Sequence, residues 1–468
     1  MILMASVMLL VVGTSAVPAS SGRARATAAD TTRQLYVGHR DSSFVARFAI
    51  DPSGRLTPRQ RIPSGSGPIA LALAPDGRTA FVADVFAGSI AVYRVRPRGG
   101  LTELRPRVRA GVRSPSGLAV SPNGRRLYVA DQDVSRLLAF SIGDRGRLTP
   151  IGRPVASGSL LPRDVAVSPD GRWLFASHWS TAAGKRAVVS VFEIRRNGAL
   201  RLQGRTRVGV DAAGMVASPN GRFLYVDAQT SGRVSGFRIA AAGGLRPLPG
   251  SPYPAGRQAE GVAITPDGRH LYVTNVTPRG RVWGFRVAPG GRLTRMPGSP
   301  FRTGSNGPEG VAVTPDGRHL FTANSGSHDV TAFEIGTAGR LTGVGSFPTG
   351  GRTPAAFRGV VVLPDQGPVA ALVARVRGAG RESHFDAGGS LDRDGRVVRY
   401  DWNFGDGTVV RDAGADVGHV YVRAGRFQVT VTVHDNEGCG ARFVFTGQTA
   451  LCNGSAAARA RTLVRVRG

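Results

Sequence analysis

The sequence predicts an all-β protein: a seven-bladed β-propeller closed by strands from both ends, followed by a second, smaller β domain. Three observations carry that prediction. A Pro-Asp-Gly or Pro-Asn-Gly turn recurs every 47 to 50 residues. The segments between turns consist of short alternating or apolar runs with no helical period. After residue 366 the repeat stops and a different strand-rich texture begins.

The turn appears as APDGR at Ala74, SPNGR at Ser121, SPDGR at Ser168, SPNGR at Ser218 and TPDGR at Thr265 and Thr314, with a degenerate LPDQG at Leu363. Pro presets one backbone angle, Asp or Asn bonds the local backbone, and Gly accepts positive φ. An apolar run such as GVAVT precedes each turn and a second run such as RLYVAD follows it. An alternating strand such as RVWGFRV and a short GRLTP-like strand complete the repeat. Four short strands per repeat suit a propeller blade. The last copy, RGVVVLPDQG, supplies only a first strand, whereas RQLYVGHRDSSFVARFAIDPSGRLTP supplies strands two to four. Six whole blades and one shared blade make seven, and the shared blade removes the open edges. The propeller is placed at 32–366 and the second domain at 367–468.

Composition narrows the function classes. The net charge is +30, but Lys185 is the only lysine and the arginines are spread over the whole chain. A basic block of the kind that grips nucleic acid is absent, so no specific nucleic-acid partner is expected. Residues 1–26 resemble a signal peptide: Ile2 to Gly13 is apolar and small-residue sites follow. The remainder has no apolar run long enough to span a membrane. A secreted or cell-surface monomer is expected. Cys439 and Cys452 are expected to form a local disulfide in an oxidising compartment.

With SPDGR and LYV recurring blade after blade, the repeat resembles the lactonase-type (6-phosphogluconolactonase-like) seven-bladed propellers. The enzymes of that family carry an Arg-His pair before one first strand and an Asn-Glu pair after a second strand. Here LPRDVAVSPDG offers Arg163 followed by Asp164, and LFASHWS offers His178 followed by Trp179. Asn275 and Asn324 keep the Asn in other blades, followed by Val276 and Ser325. The resemblance implies a fold, and an activity only in part. After residue 366, FDAGGSLDRDGRVVRYDWNFGDGT and HVYVRAGRFQVTVTVHDNEG resemble a PKD domain, an immunoglobulin-like β-sandwich. Such domains generally serve as extracellular spacers or contact modules. Tyr400, Trp402 and Phe404 share one face of an alternating strand, which places Trp402 in the core. The Cys439–Cys452 segment is an insertion before the last strand.

In a propeller the start of each first strand and the end of each second strand crowd one mouth of the channel. Six residues before each repeat Pro stand Ile69, Ser116, Arg163, Ala213, Glu260, Glu309 and Arg358. His39, Asp84, Asp131, His178, Asn275 and Asn324 end second strands. A ligand-binding mouth is therefore expected from Glu260, Glu309, Arg358, Asn275, Asn324 and His39. Two neighbouring glutamates raise one another's pKa or hold a cation, while a neighbouring arginine opposes both. The alternative is a ring of solvated ion pairs. Arg163, Asp164 and His178 are the candidate catalytic groups, with Glu260 as a further base. No Ser-His-Asp order, HExxH spacing or phosphate loop is present, and no metal or cofactor is expected for the chain.

On the opposite face Arg78, Arg125, Arg172, Arg222, Arg269 and Arg318 follow the turns. They are either a basic rim for anionic polymer or arginines paired with their own turns. LDRDG at Leu391 and Asp435-Asn436-Glu437 offer oxygen ligands for calcium, or are ordinary acidic turns. The best reading is a binding or scaffold protein outside the cell. Its partner would be an extracellular protein, a polysaccharide or cell-wall polymer, or a small molecule at the mouth. The alternative is a lactone hydrolase.

Overall fold

The structure is a computed structural model that describes residues 33–109, 111–179, 187–354 and 358–468. The export segment assigned to 1–26 lies outside the described residues. Seven sheets, each on a four-strand path, form a ring. Their first strands are Pro68–Leu73, Pro115–Val120, Pro162–Val167, Ala212–Ala217, Ala259–Ile264, Pro308–Val313 and Val360–Val362. Each neighbours the next, and Val360–Val362 touches Pro68–Leu73 again, so the ring closes. In the closing blade Val360–Val362 pairs with Arg33–His39, which continues through Phe44–Ile50 to Leu56–Pro63. This is the two-ended closure that the strand count predicts.

The repeat motif explains the blade. In each of the six full turns the Asp or Asn side chain accepts the N–H of the Arg two residues on, as from Arg78 to Asp76 at 3.0 Å and from Arg269 to Asp267 at 2.9 Å. The turn glycine takes positive φ each time, 66° at Gly77 and 73° at Gly268. First and second strands are almost wholly buried, whereas the fourth strands face solvent along much of their length. The tyrosine of LYV joins one blade to the next. The Tyr36, Tyr225 and Tyr272 hydroxyls donate to Gly99, Gly291 and Gly339 carbonyls at 2.6, 2.7 and 2.7 Å.

The C-terminal module is a sandwich of two sheets. One holds Val373–Arg375, Glu382–Asp386 and Asp416–Val420; the other holds Val409–Ala413, Val397–Asn403, Gly425–Asp435 and Arg459–Val466. Its core gathers Phe385, Trp402, Phe404, Tyr421, Val429, Val431 and Val433. Trp402 is fully buried, and its indole N–H donates to the Gly414 carbonyl at 3.1 Å.

Cys439 and Cys452 form a disulfide. Between them a hairpin, Phe443–Phe445 with Ala450–Asn453, leaves the sandwich. Its Phe445 and Ala450 pack among Ala119, Val165 and Val167 of two propeller first strands. The strand Ala450–Asn453 also pairs in parallel with Asp365–Gln366, which follows directly on the closing blade.

Candidate functional site

The starts of the first strands bring together two of the predicted mouth residues, Glu260 and Glu309, and the catalytic candidate Arg163. Arg163 Nη2 lies 3.4 Å from Glu260 Oε1, and both side chains are nearly buried. The Arg163 guanidinium also sits 4.0 Å over the ring of Trp179. Gln229 donates to the other Glu260 oxygen at 2.9 Å. Glu309 belongs to the next blade, and one of its buried carboxylate oxygens has no hydrogen-bond partner. The blades approach closely here because a glycine follows Glu260. A Cβ at Gly261 would lie 2.2 Å from the Glu309 carbonyl oxygen.

Burial governs the electrostatics. It pushes the Glu260 carboxyl up to about 7, with Glu309 adding to the rise and Arg163 opposing it. Glu309 is raised for the same first reason. Burial lowers Arg163 to about 10, against the pull of Glu260 and Glu309. Asp227, fully buried behind them, is raised well above the usual carboxylate range by burial and then by Glu260. The sequence reading overlooked Asp227 because it sits one position before the end of its strand. The same offset in neighbouring blades carries Ser177 and Thr274, whose hydroxyls donate to the Ala213 and Glu309 carbonyls at 2.7 and 2.8 Å.

Other predicted site residues go elsewhere. Arg358 pairs with Asp164 at 3.3 Å rather than with the glutamates, and its guanidinium also donates to the Met215 carbonyl. Asp164 is fully buried and accepts the Met215 N–H at 3.1 Å, so it is no solvent-facing base. The ends of the second strands hold loops and do not line the mouth. His178 has its ring nitrogens 3.2 and 3.0 Å from the Val188 and Ser157 carbonyl oxygens, and burial lowers its pKa to about 4. Asn275 donates to the Ala255 and Arg257 carbonyls, and Asn324 to Asp329 and Thr331. His39 is buried and stacks on Phe44 with ring centres 4.4 Å apart. The physical reason is alternation: a strand's last residue points toward the adjoining loop when its neighbour points toward the next blade.

A second cluster lies where the two domains meet. Asp365, Asp394 and Glu437 bring carboxylate oxygens within 4.8 Å of one another. Asp392 and Asp435 adjoin them electrostatically, and buried oxygens of Asp365, Asp392, Asp394 and Asp435 lack hydrogen-bond partners. Burial, reinforced by the neighbouring carboxylates, raises Asp394 to about 8 and Asp435 to about 7. Arg33 bridges the cluster's edge, 3.1 Å from Glu437 and 2.7 Å from Asp316. A set of hard oxygen donors with this little compensating charge suits Ca2+. The two turns singled out from the sequence thus come together, joined by Asp365 from the end of the propeller.

On the turn face Arg172 and Arg222 lie over Trp173 and Phe223, while Arg269 and Arg318 are 3.9 Å from the Asp of their own turns. No helix among the described residues is long and apolar enough to cross a membrane.

Comparison with known proteins agrees with this architecture. Residues 11–110, 64–161, 161–252 and 244–353 match the family described as lactonase, seven-bladed β-propeller, and residues 365–446 match the PKD domain. The periplasmic gluconolactonase of Pseudomonas aeruginosa is 25% identical, with a TM-score of 0.60 over 71% of this chain and 99% of that one. A Bacteroides fragilis protein provisionally assigned as a 6-phosphogluconolactonase is 21% identical, with a TM-score of 0.61 over 71% and 98%, a likeness of fold. Collagenase ColA of Clostridium perfringens is 42% identical over 57 residues, which is 12% of this chain and 5% of the collagenase's length. The chain belongs to the lactonase-type seven-bladed β-propeller family and carries a PKD domain behind its propeller.

Proposed function

We propose that this is an exported protein whose propeller mouth binds a small polyhydroxylated ligand, a sugar lactone or the sugar-acid anion it opens to. The PKD module then attaches the propeller to extracellular polysaccharide or protein. The observation that carries the mouth reading is the nearly buried Arg163–Glu260–Glu309 cluster. A guanidinium is suited to a carboxylate or an ester carbonyl, and flanking carboxyl and amide groups are suited to sugar hydroxyls. The likeness to a periplasmic gluconolactonase supports that ligand class. The collagenase match supports an extracellular setting for the PKD module.

A second reading, lactone hydrolysis, is favoured by one fact: a carboxyl held at about 7 beside an arginine. As a base Glu260 would take a proton from water as the water oxygen attacks the lactone carbonyl. Arg163 would stabilise the developing oxyanion, and as the acyl–oxygen bond breaks the ring oxygen would leave with the proton that Glu260 took from the water, which restores the Glu260 carboxylate. Both readings meet in one experiment with D-glucono-1,5-lactone, 6-phosphogluconolactone and gluconate. Calorimetry on the full chain should detect gluconate binding that Arg163→Ala weakens at least tenfold; equal binding by the variant would remove the mouth as the site. If hydrolysis accompanies binding, its rate should rise with pH through about 7 and vanish in Glu260→Gln.

A further inference from the structure

The hairpin that leaves the PKD module enters the propeller channel from the turn face. Its tip, Thr446 to Thr449, meets four first strands at their turn-side ends. The Val120, Val167 and Ala217 N–H groups donate to the Gln448, Gly447 and Thr446 carbonyls at 3.0, 2.7 and 2.9 Å. The Leu73 N–H donates to the Thr449 hydroxyl at 2.9 Å, and that hydroxyl donates to the Leu73 carbonyl at 2.9 Å. Inner edges of propeller blades are rows of N–H and C=O groups with no strand beyond them. Here one four-residue tip satisfies that edge in four blades. The remaining gap beside it, bounded by Arg358, Gln448 and Val360–Val362, is only about 50 Å³.

The Gln448 side chain reaches further. Its carboxamide donates to the Val165 and Met215 carbonyls at 3.1 and 3.0 Å and lies 3.4 Å from Asp164 Oδ2. Asp164 is the partner of Arg358, and the Arg358 guanidinium shares the Met215 carbonyl with Gln448. Asp227 is influenced electrostatically by Glu260, Arg358 and Asp164. A chain of polar contacts therefore runs from the PKD insertion to the Asp164–Arg358 pair.

We propose that the disulfide-closed hairpin is a built-in plug of the propeller channel, and that Gln448 is a positioning residue that fixes the Asp164–Arg358 pair beneath the mouth. The channel then has one entrance, and the PKD insertion forms its floor. Two requirements of a plug are met: an apolar shoulder, Phe445 and Ala450, buried against the blades, and a polar tip matched to the channel edge. A third is a closed base, which the Cys439–Cys452 bond provides. The proposal rests on these contacts and holds whether or not the mouth binds a sugar acid.

The test uses the full chain and three forms: wild type, Gln448→Leu, and a variant with Thr446–Thr449 replaced by two glycines. Hydrogen exchange should find the Val120, Val167 and Ala217 amides protected in wild type and at least tenfold less protected in the shortened variant. Gln448→Leu fills the same space without a donor. It should leave those amides protected but shift the Arg358 side-chain N–H resonance and speed its exchange at least tenfold. Equal amide exchange in wild type and the shortened variant would overturn the plug. An Arg358 resonance unmoved in Gln448→Leu would overturn the positioning role. Failure of gluconate to bind wild type would count against the proposed ligand alone, because neither readout here depends on it.

Discussion

The mouth and the domain junction each gather buried carboxyl groups, yet they solve the charge problem differently. At the mouth Glu260 and Glu309 share a nearly buried counter-ion, Arg163, and the cluster is partly neutralised from within. At the junction Asp365, Asp392, Asp394, Asp435 and Glu437 have Arg33 only at their edge, and several oxygens lack any donor. Burying a charge is costly unless it is paired, so a site that brings its own cation is complete and a site that does not must take up protons or a metal ion.

The largest effect should come from breaking the mouth's internal pair. Arg163→Ala leaves Glu260 buried without its paired cation, a change that typically costs about 3–5 kcal/mol. The loss should appear at pH 8 in denaturant unfolding and shrink at pH 5, where the freed carboxyls protonate. Adding Glu260→Gln should recover much of the pH 8 loss. An equal loss at both pH values would mean that Arg163 acts through packing on Trp179 and not through charge.

Filling the junction should come next. In chelator the raised carboxyls of the junction contribute most to stability at acid pH. Asp394 and Asp435 hold their protons more tightly folded than unfolded, so their contribution is complete below about 4 and is lost as pH rises through about 7 and 8. Ca2+ should reverse that trend by stabilising the deprotonated set. At a hundred times its dissociation constant it adds about 2.7 kcal/mol. Melting curves at pH 8 with and without Ca2+ test this, with Asp394→Asn abolishing the response and Arg163→Ala preserving it. A calcium response that survives Asp394→Asn would place the ion elsewhere.

The two clusters also differ in how far the sequence reveals them. The blade repeat is local chemistry, so its turns and the seven-blade count follow from the spacing of Pro75, Pro122 and their successors. Position six before the turn places Glu260 and Glu309 on adjacent blades, because every first strand enters the ring alike, but it gives them Arg358 as their arginine where the structure gives Arg163 from further round. The same rule misplaces Arg358, whose guanidinium reaches across the channel to Asp164, and it passes over Asp227. The strand-end set His39, His178, Asn275 and Asn324 fails because one step along a strand turns a side chain from the next blade toward a loop. The junction is half legible, since the acidic turns are visible but their meeting with Asp365 is not. The hairpin from Phe443 to Asn453 carries no repeat signal at all. Its destination depends on a channel formed by strands hundreds of residues earlier.

The smallest effect tests whether the two mouth glutamates truly act on each other. Glu309→Gln removes the neighbour that, after burial, does most to raise Glu260. The pair Arg163–Glu260 stays intact, so the stability change should be about 1 kcal/mol or less. The informative quantity is its pH dependence. In wild type the Glu260 contribution is complete below about 4.5 and lost as pH rises through about 7, because the folded state holds that proton more tightly. With Glu309 neutral, the pH of half-loss should fall below 7 while remaining above the ordinary glutamate value, since burial persists. Melting temperatures recorded from pH 4 to 8 in chelator, against an Asp394→Asn background that reduces the junction's own titration, would isolate the shift. An unchanged midpoint would mean that burial alone sets Glu260 and that the mouth is two separate carboxyls beside one arginine, not a coupled site.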